Sequence, residues 1–356
     1  MRLALFCVSI LFSITLFAQR PEVPNLPSIE PTELGFNQDS IDQLYDRMEN
    51  MRDPNYLGLV VIKDQQLAIE WYFNTFWRTH IHDIRSAGKS ITALILGAAI
   101  QDGLVKDIEQ DVYSFFPKEK YPGLHEDYKT VKIKDLLDMS SGLDADSDDW
   151  ETPGNAGKWI TKDEWVRYIL TIPVVNEPGT RWVYADINAA LIGAIIEEKS
   201  GMSLRDYAQA KIFGPLDFQD YYWTTNKANQ TVAAGNFYLS TLDFAKLGAL
   251  ITSAGKWGEE QIIAESYIER LVEHQVFDIN DYNPLADQYG MLWYKSTREF
   301  DGEEMSYLWA SGNGGNHLVV IPKKKMVVAM TAYGYGQWYP HLRNYAILEK
   351  VLNALD

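Results

Sequence analysis

One serine and one lysine, three positions apart, have the spacing of a nucleophile and its activating base. The segment 86–89 reads Ser-Ala-Gly-Lys and opens an apolar stretch over 91–100. At a helix start, free backbone N–H groups and the helix dipole favour negative charge at Ser86. Lys89 lies one turn later on the same face, and apolar surroundings lower the proton affinity of a lysine. The pattern predicts that Lys89 activates Ser86 for nucleophilic attack.

The same four letters occur a second time, at 253–256, in a different setting. This copy closes an apolar helical stretch, with Gly255 as the helix stop and turn residues after it. We therefore expect function only from the first copy. The alternative for the first copy is a helix cap followed by a surface lysine.

A tyrosine motif supplies a further group for the same chemistry. Tyr184-Ala185-Asp186 follows a Pro-Gly turn and a short extended piece, and it leads into a helix. Beside Lys89, the phenol of Tyr184 could carry a proton between the serine and the leaving group. The alternative is a core tyrosine with a packing role.

A glycine-rich segment, 310–315, precedes a predicted strand and reads Ala-Ser-Gly-Asn-Gly-Gly. Glycines at a strand edge let a substrate approach the backbone closely. A backbone N–H group at this edge can complete an oxyanion hole with the N–H group of Ser86. The alternative is an ordinary glycine turn.

Hairpins at both chain ends, with helices between them, must position these groups. β-rich runs at 57–63 and 67–73 predict one hairpin, and runs at 317–321 and 326–332 predict another. Apolar spacing predicts helices over 39–51, 86–102, 131–139, 188–200, 241–252 and 341–355. The sequence therefore predicts an α+β fold: an antiparallel sheet built from both chain ends, flanked by helices, with an inserted, mostly helical subdomain.

Residues 1–18 have the pattern of a secretory signal peptide. One arginine precedes an apolar run over 3–17, and a small residue ends the segment. The run is shorter than the roughly 20 residues of a membrane-spanning helix. Cys7, the only cysteine, would be removed with the signal. We expect an exported protein, periplasmic or secreted, without stable membrane insertion.

The remaining chain, 19–356, is expected to form a single catalytic domain. Its α/β part would comprise about 30–115 and 233–356, and its helical subdomain about 116–232. The active cleft would lie where the two parts meet.

Composition and charge limit the classes of partner. The 356 residues carry a formal net charge of −17, which argues against binding to nucleic acid or to an anionic membrane. No H-E-x-x-H, Walker or G-x-S-x-G motif is present, and we expect neither a metal nor an organic cofactor. The expected partner is a small ester, amide or peptide substrate. The oligomeric state is left open.

Several segments taken together resemble the serine β-lactamase and penicillin-binding-protein superfamily. The resemblance spans roughly 35–355 and is closest to the class C β-lactamase-like branch, which includes esterases, D-amino-acid peptidases and 6-aminohexanoate-oligomer hydrolases. It implies the β-lactamase/transpeptidase-like fold. The segments that carry it are IRSAGKSITALILGAAIQDGLV (84–105), VKIKDLLDMSSGLD (131–144), PGTRWVYADINAALIGAIIEEKSG (178–201), AAGNFYLSTLDFAKLGALI (233–251) and ASGNGGNHLVVIP (310–322).

The resemblance also implies roles for individual residues. The catalytic side chains would be Ser86 as the acylated nucleophile, Lys89 as its base and Tyr184 as the general acid/base. The other implied positions are the backbone N–H groups of Ser86 and Asn313 for the oxyanion hole, and Asp186, Ser311 and Gly312 for substrate binding.

Two positions depart from the pattern of this superfamily. The third residue of the tyrosine motif, usually Asn, is Asp186, and the usual Lys or His that opens the glycine-rich motif is Ala310. In the superfamily that basic residue helps to bind the carboxylate of β-lactams and of peptide termini. Its absence favours uncharged or cationic esters and amides as substrates.

The sequence thus predicts an exported serine hydrolase that acts through an acyl-enzyme on ester or amide bonds. A β-lactamase, a D-alanyl carboxypeptidase or a D-amino-acid peptidase is the alternative within the same chemistry. A cell-wall ligand binder that is acylated without turnover is the alternative from another class. The presence of Ser86, Lys89 and Tyr184 together argues against this last alternative.

Overall fold

The computed structural model describes residues 26–51, 53–274, 276–300 and 302–355. The predicted signal peptide, 1–18, and Cys7 lie outside these residues. The described helices are α1 (Gln38–Asn50), α2 (Ala87–Gln101), α3 (Ile133–Leu137), α4 (Ala156–Trp159), α5 (Trp165–Ile169), α6 (Asp186–Ser200), α7 (Leu204–Ala208), α8 (Thr241–Thr252), α9 (Glu265–Glu273) and α10 (Tyr339–Asn353).

The strands fall mainly near the two ends of the chain. They are β1 (Tyr56–Lys63), β2 (Gln66–Tyr72), β3 (His82–Asp83), β4 (Tyr221–Trp223), β5 (Phe237–Leu239), β6 (Lys256–Trp257), β7 (Glu260–Gln261), β8 (Phe277–Asp278), β9 (Gln288–Gly290), β10 (Trp293–Phe300), β11 (Glu303–Gly312), β12 (Asn316–Ile321) and β13 (Met326–Ala332).

One antiparallel sheet joins the two chain ends. Its strand order is β2-β1-β13-β12-β11-β10-β9-β8. The first and last long strands, β1 and β13, are direct neighbours, with Leu59 opposite Met330. The predicted α+β fold with a sheet from both chain ends is therefore confirmed.

The central strands are buried along their whole length because both faces of the sheet are covered. Every residue of β12 and β13 is buried. Helix α8 packs on β1, β12 and β13, while α10 packs on β10 and β13 and also contacts α1. These buried strands form a rigid support next to the predicted site segments.

Two helices carry the predicted catalytic side chains. Residues 87–99 of α2 are all buried and mostly apolar, and the buried polar side chains among them are Lys89, Ser90 and Thr92. Helix α6 begins at Asp186 and ends at Ser200. Gly201 follows as its C-cap, with a left-handed φ of 69°. The two helices pack against each other, which brings the serine motif and the tyrosine motif together.

Some predicted elements differ from the structure. The predicted helix over 131–139 is only the short α3, and the sequence analysis did not identify β9 or β10. β10 is a mixture of polar and apolar residues whose strand form depends on pairing with β11. The bounds of the helical subdomain, about 116–232, stay a prediction, although most elements in this range are helices. Among the described residues, no helix is both long and apolar enough to cross a bilayer.

Candidate active site

The ammonium group of Lys89 is the centre of the site. Its Nζ lies 3.1 Å from Ser86 Oγ, 2.8 Å from the carbonyl oxygen of Ala234 and 2.7 Å from Asp186 Oδ1. An ammonium group has three N–H donors, and each of them meets one of these oxygens. The side chain is only 2% exposed, so these contacts replace water.

The chemistry of the three oxygens decides where the lone pair of a neutral Lys89 would point. The Ala234 carbonyl and the Asp186 carboxylate can only accept hydrogen bonds, so they hold the two N–H groups of the neutral amine. Of these three oxygens, only that of Ser86 carries a proton, and the Tyr184 hydroxyl, which also hydrogen-bonds Lys89, is a second proton donor. The geometry allows a neutral amine to accept the serine proton, and this role of Lys89 stays a prediction.

The protonation state of Lys89 differs from the expectation drawn from its apolar surroundings. Burial disfavours the ammonium form, as expected. The carboxylate of Asp186 and the hydroxyl of Tyr184 outweigh that effect and raise the pKa of Lys89 above its ordinary value. The expectation of a lowered proton affinity is therefore wrong, because it left out a negative charge that lies far away in the sequence.

The turn that carries Ser86 is fixed on both sides. The Ser86 side chain makes no capping hydrogen bond to α2, so its oxygen stays available for Lys89. On the strand side, a Cβ atom added to Gly312 would lie 1.8 Å from the carbonyl oxygen of Ile84. Only glycine allows the end of β11 to approach the nucleophile turn so closely.

The tyrosine motif is held by backbone contacts to neighbouring loops. The N–H group of Val183 donates to the carbonyl of Met139 at 2.8 Å. Ser147 binds the motif at both ends: its N–H group donates to the carbonyl of Tyr184 at 2.9 Å, and its Oγ accepts from the N–H group of Asp186 at 3.0 Å. The ring of Tyr184 faces Lys89, whose Nζ lies 5.0 Å from the ring centroid.

The glycine turn, residues 313–315, contains Asn313, whose backbone N–H group is predicted to form part of the oxyanion hole. Asn313 is exposed; its side-chain oxygen accepts from the N–H group of Gly336 at 2.7 Å, and its carbonyl accepts from Asn316 Nδ2 at 2.9 Å. Asn316 is fully buried, and its Oδ1 also contacts His82 Nε2 at 2.9 Å. The turn is thus tied to β3, which leads directly into the nucleophile.

The predicted substrate-binding residues occupy different environments. Asp186 forms an ion pair with Lys89, and its predicted contact with a substrate stays a prediction. Ser311 is half-buried in β11 opposite His317. Gly312 is buried against the turn that carries Ser86. This close packing is enough to require glycine at position 312, whether or not the residue contacts a substrate.

An aromatic cluster beside Tyr184 was not found by the sequence analysis. The Tyr282 ring stacks on Tyr184 with centroids 5.9 Å apart, and the Trp182 ring meets Tyr282 edge-on at 4.7 Å. Tyr282 is 44% exposed. These rings lie on one side of the site, beside Tyr184. Trp182 could have been identified from the sequence, because it lies two residues before Tyr184 in the tyrosine motif.

The second Ser-Ala-Gly-Lys copy is structural. In the described part of the chain, Ser253 Oγ donates only within its own turn, to the carbonyls of Ala249, Leu250 and Lys256. Lys256 is exposed. In the described part of the chain, no group of three or more His, Cys, Asp or Glu side chains could hold a metal ion.

The beta-lactamase family model matches residues 48–352. The chain therefore belongs to the beta-lactamase family, and the superfamily indicated by the sequence motifs is confirmed. A Salmonella typhimurium protein named "Putative D-alanyl-D-alanine carboxypeptidase" is 27% identical over 231 residues, which cover 59% of this chain and 52% of the relative. The chain thus spans about half the length of the curated relatives that it matches.

Solved structures share the fold at low identity. The "Putative 6-aminohexanoate-dimer hydrolase from Bacillus anthracis" has a TM-score of 0.70 and 18% identity, over 93% of this chain and 87% of that one. The D-amino acid amidase from Ochrobactrum anthropi SV3 has a TM-score of 0.65 and 17% identity, over 88% of this chain and 99% of that one. These likenesses confirm the predicted β-lactamase/transpeptidase-like fold.

Proposed function

We propose that this chain is a serine hydrolase that cleaves ester or amide bonds through an acyl-enzyme. The observation that supports this most strongly is the environment of Lys89 Nζ. Its contact with Ser86 Oγ is 3.1 Å long, and its other two oxygen partners can only accept hydrogen bonds. A lysine held in this way has two hydroxyl groups within reach, those of the candidate nucleophile Ser86 and of the candidate acid Tyr184.

In the proposed reaction, Ser86 Oγ attacks the substrate carbonyl carbon and its proton passes to the neutral amine of Lys89. The backbone N–H groups of Ser86 and Asn313 stabilise the negative carbonyl oxygen. Tyr184 delivers a proton to the leaving group as the carbon–heteroatom bond breaks. The proton on Lys89 then returns to the Tyr184 phenolate, which restores both groups. A water molecule attacks the acyl carbon and gives one proton to Lys89, and Lys89 passes a proton to Ser86 Oγ as the acyl–oxygen bond breaks, which releases the acid and free Ser86.

The Lys89–Asp186 ion pair sets the pH range of this reaction. The raised pKa of Lys89 keeps the ammonium form dominant at neutral pH. Because only the amine can accept the Ser86 proton, activity is expected to increase as the pH rises above neutral.

A D-alanyl-D-alanine carboxypeptidase is the second candidate function. It is supported by the similarity to the Salmonella typhimurium relative that bears this name, of which this chain matches about half the length. This reaction would use the same nucleophile on a peptide bond between D-amino acids.

We also propose that residues 1–18 direct export, so that the active chain is the single domain 19–356, with the helical subdomain at about 116–232. The support is the apolar run over 3–17 and the small residue at 18. N-terminal sequencing of the protein recovered from the periplasm or the culture medium tests this proposal. A mature N-terminus near residue 19 is expected, and an intact residue 1 in the exported fraction would contradict it.

A four-substrate panel tests the proposed activity and separates its subclasses. The substrates are p-nitrophenyl butyrate, D-phenylalanine amide, a D-Ala-D-Ala tripeptide and a chromogenic cephalosporin, each assayed with wild type and Ser86→Ala. Turnover of the ester or the amide that is lost in Ser86→Ala supports the proposal. Turnover of only the peptide or only the cephalosporin would favour the alternatives. A stoichiometric adduct that does not decay would identify a binder.

A further inference from the structure

The turn between β9 and β10 holds two bulky residues in a conformation that such residues rarely adopt. Gly290 pairs with Trp293, so Met291 and Leu292 are the two residues of a tight hairpin turn. Their φ angles are 54° and 61°, both in the left-handed region. Hairpin turns with two such angles normally use Asn or Gly, because larger side chains are disfavoured there. We call residues 291 and 292 the strained turn; both side chains are buried, and the surrounding structure must hold the turn in this form.

Two hydrogen bonds join the strained turn to the end of α3. The N–H group of Leu292 donates to the carbonyl of Leu137, the last residue of α3, at 2.7 Å. The N–H group of Met291 donates to Asp138 Oδ1 at 3.1 Å. Asp138 is only 5% exposed, and its other oxygen, Oδ2, lies 2.8 Å from His274 Nε2. The Asp138 carboxylate is therefore held on both of its oxygens.

The residues directly after Asp138 hold the tyrosine motif. The carbonyl of Met139 accepts from the N–H group of Val183 at 2.8 Å, and the carbonyl of Ser140 accepts from the N–H group of Gly179 at 2.8 Å. Met139 also has a left-handed φ, of 55°. A side chain that fixes the end of α3 therefore also fixes the backbone to which the tyrosine motif is bonded.

On its other side, the strained turn is bonded to α2. Ser90, which is buried, donates from its Oγ to the carbonyl of Leu292 at 2.6 Å. It directly follows Lys89, whose Nζ lies 5.0 Å from the centroid of the Tyr184 ring. Through the strained turn, hydrogen bonds thus connect the residue after the candidate base to the residue before the candidate acid.

We propose that Asp138 and Ser90 are positioning residues for Tyr184. Acting through the strained turn, they hold the Tyr184 hydroxyl where it can give a proton to the leaving group of a substrate bound at Ser86. The proposal rests on the proposed hydrolase function. It also accounts for the strain, because a turn that must be held from both sides passes the placement of α3 on to α2.

Two butyrate esters with different leaving groups test the proposal. p-Nitrophenolate leaves as a stable anion without a proton, whereas an ethoxide group must be protonated as it leaves. Asp138→Ala and Ser90→Ala each remove a hydrogen bond to the strained turn. Each should lower kcat/KM for ethyl butyrate at least about tenfold more than kcat/KM for p-nitrophenyl butyrate, because a misplacement of about 1 Å can cost about a hundredfold in rate.

Two further variants show whether the effect passes through Tyr184. Tyr184→Phe should change the ratio of the two kcat/KM values in the same direction, and adding Ser90→Ala to it should change the ratio no further. Asp138→Asn keeps an oxygen that can accept from the N–H group of Met291. It should therefore restore the ratio to within about threefold of wild type.

The control is Thr241→Val, which removes another buried hydroxyl contact, 2.7 Å from Thr241 Oγ1 to Thr331 Oγ1, between α8 and β13. It should keep the wild-type ratio. An equal loss on both esters in Asp138→Ala and Ser90→Ala would overturn the proposal, and so would a further change of the ratio in the Tyr184→Phe background. Either result would mean that the strained turn only supports the fold.

NMR separates this proposal from the function on which it rests. In protein labelled with ¹³C at tyrosine Cζ, the signal that is absent from Tyr184→Phe belongs to Tyr184. A shift of this signal in Asp138→Ala and Ser90→Ala, but not in Thr241→Val, supports the positioning role even if no ester is cleaved. An unchanged signal overturns the positioning role, whereas ester turnover that is lost in Ser86→Ala would still support the hydrolase.

Discussion

The Asp186→Asn substitution isolates the charge that keeps Lys89 in its ammonium form. Asparagine has nearly the same shape and keeps an oxygen that can accept from Lys89 Nζ, now 2.7 Å from the carboxylate. The Lys89 and Asp186 side chains are 2% and 21% exposed, so solvent screens the pair weakly. Asparagine is also the usual residue at this position of the superfamily motif, and the turn at Ser147 can stay unchanged.

The geometry of the ion pair sets the size of the effect. At an effective dielectric constant of about 20, the attraction across 2.7 Å is about 6 kcal/mol. This is an upper limit, because the amide of Asn keeps a hydrogen bond. A nearby opposite charge typically changes the pKa of an ionisable group by about one to three units, and its removal should lower the pKa of Lys89 by a similar amount. The limb of kcat/KM that rises with pH should therefore move by this amount toward lower pH in Asp186→Asn.

The direction of the change follows from the role of Lys89. The ammonium form cannot accept the Ser86 proton, and removing the carboxylate makes the amine form available at lower pH. At a pH below both limbs, Asp186→Asn should therefore be faster than wild type by about tenfold for each pH unit of displacement. A variant of a candidate site residue that gains activity is an unusual outcome, and it makes this prediction specific.

The assay is kcat/KM for p-nitrophenyl butyrate from about pH 5 to about pH 10. Because the pKa of Lys89 is raised above its ordinary value, wild type is on its rising limb throughout this range, and the displacement of the limb is calculated from the ratio of the two rates at the same pH. Asp146→Asn is the control, because Asp146 caps a turn in a neighbouring loop by accepting from the N–H group of Asp148; its profile should match wild type. A limb that does not move in Asp186→Asn would refute the argument that the ion pair sets the base. Loss of activity at every pH would show that Asp186 does more than set the protonation of Lys89.

Further predictions concern packing, buried histidines and the glycine turn. Gly312→Ala places a methyl group 1.8 Å from the Ile84 carbonyl oxygen, so urea titration should show a loss of about 1–3 kcal/mol in the free energy of unfolding. Burial lowers the pKa of His341 to about 4 and also lowers that of His317, 2.8 Å away. The unfolded chain then binds more protons, and stability should fall between about pH 6.5 and pH 4. Asn316→Ala releases the glycine turn and should lower kcat about a hundredfold, with little change in KM.

Each of these predictions has a control or a contradicting result. Gly302→Ala adds a methyl group that meets nothing within 4 Å, at a left-handed φ of 79°, so it should cost only the backbone strain of about 1 kcal/mol. A loss in Gly312→Ala that is no larger would contradict the steric argument. If His341→Gln shows the same loss of stability in acid as wild type, the histidine pair is not the cause. An increase of KM without a fall in kcat would assign Asn316 to substrate binding and not to positioning.

The strands and helices with strong apolar patterns were predictable from the sequence. The runs of Val, Ile and Leu in β1 and β13 fit only a sheet covered on both faces, and the chain order places them at opposite ends. β10 was not predictable, since its polar residues show no strict alternation and its form depends on its partner strand. Propensity is weak where tertiary pairing decides the structure.

The spacing of Ser86 and Lys89 is a local feature of the sequence, so these two candidates could be named before the fold was known, and their catalytic roles stay predictions. The contact of Tyr184 with Lys89 and the protonation state of Lys89 depend on the packing of α2 on α6. The position of Tyr282 relative to Tyr184 depends on a loop in the same way. Candidate residues within one short motif can therefore be predicted from the sequence, whereas their protonation states can be predicted only once the fold is known.

The central claim is that Ser86, and not its copy at Ser253, forms the acyl-enzyme. The direct measurement is the mass of the intact protein after quenched reaction with p-nitrophenyl butyrate, followed by peptide mapping, for wild type, Ser86→Ala and Ser253→Ala. A butyryl adduct on the peptide that contains Ser86 is expected in wild type and in Ser253→Ala, and none in Ser86→Ala. An adduct on another residue, or ester turnover that persists in Ser86→Ala, would contradict the account.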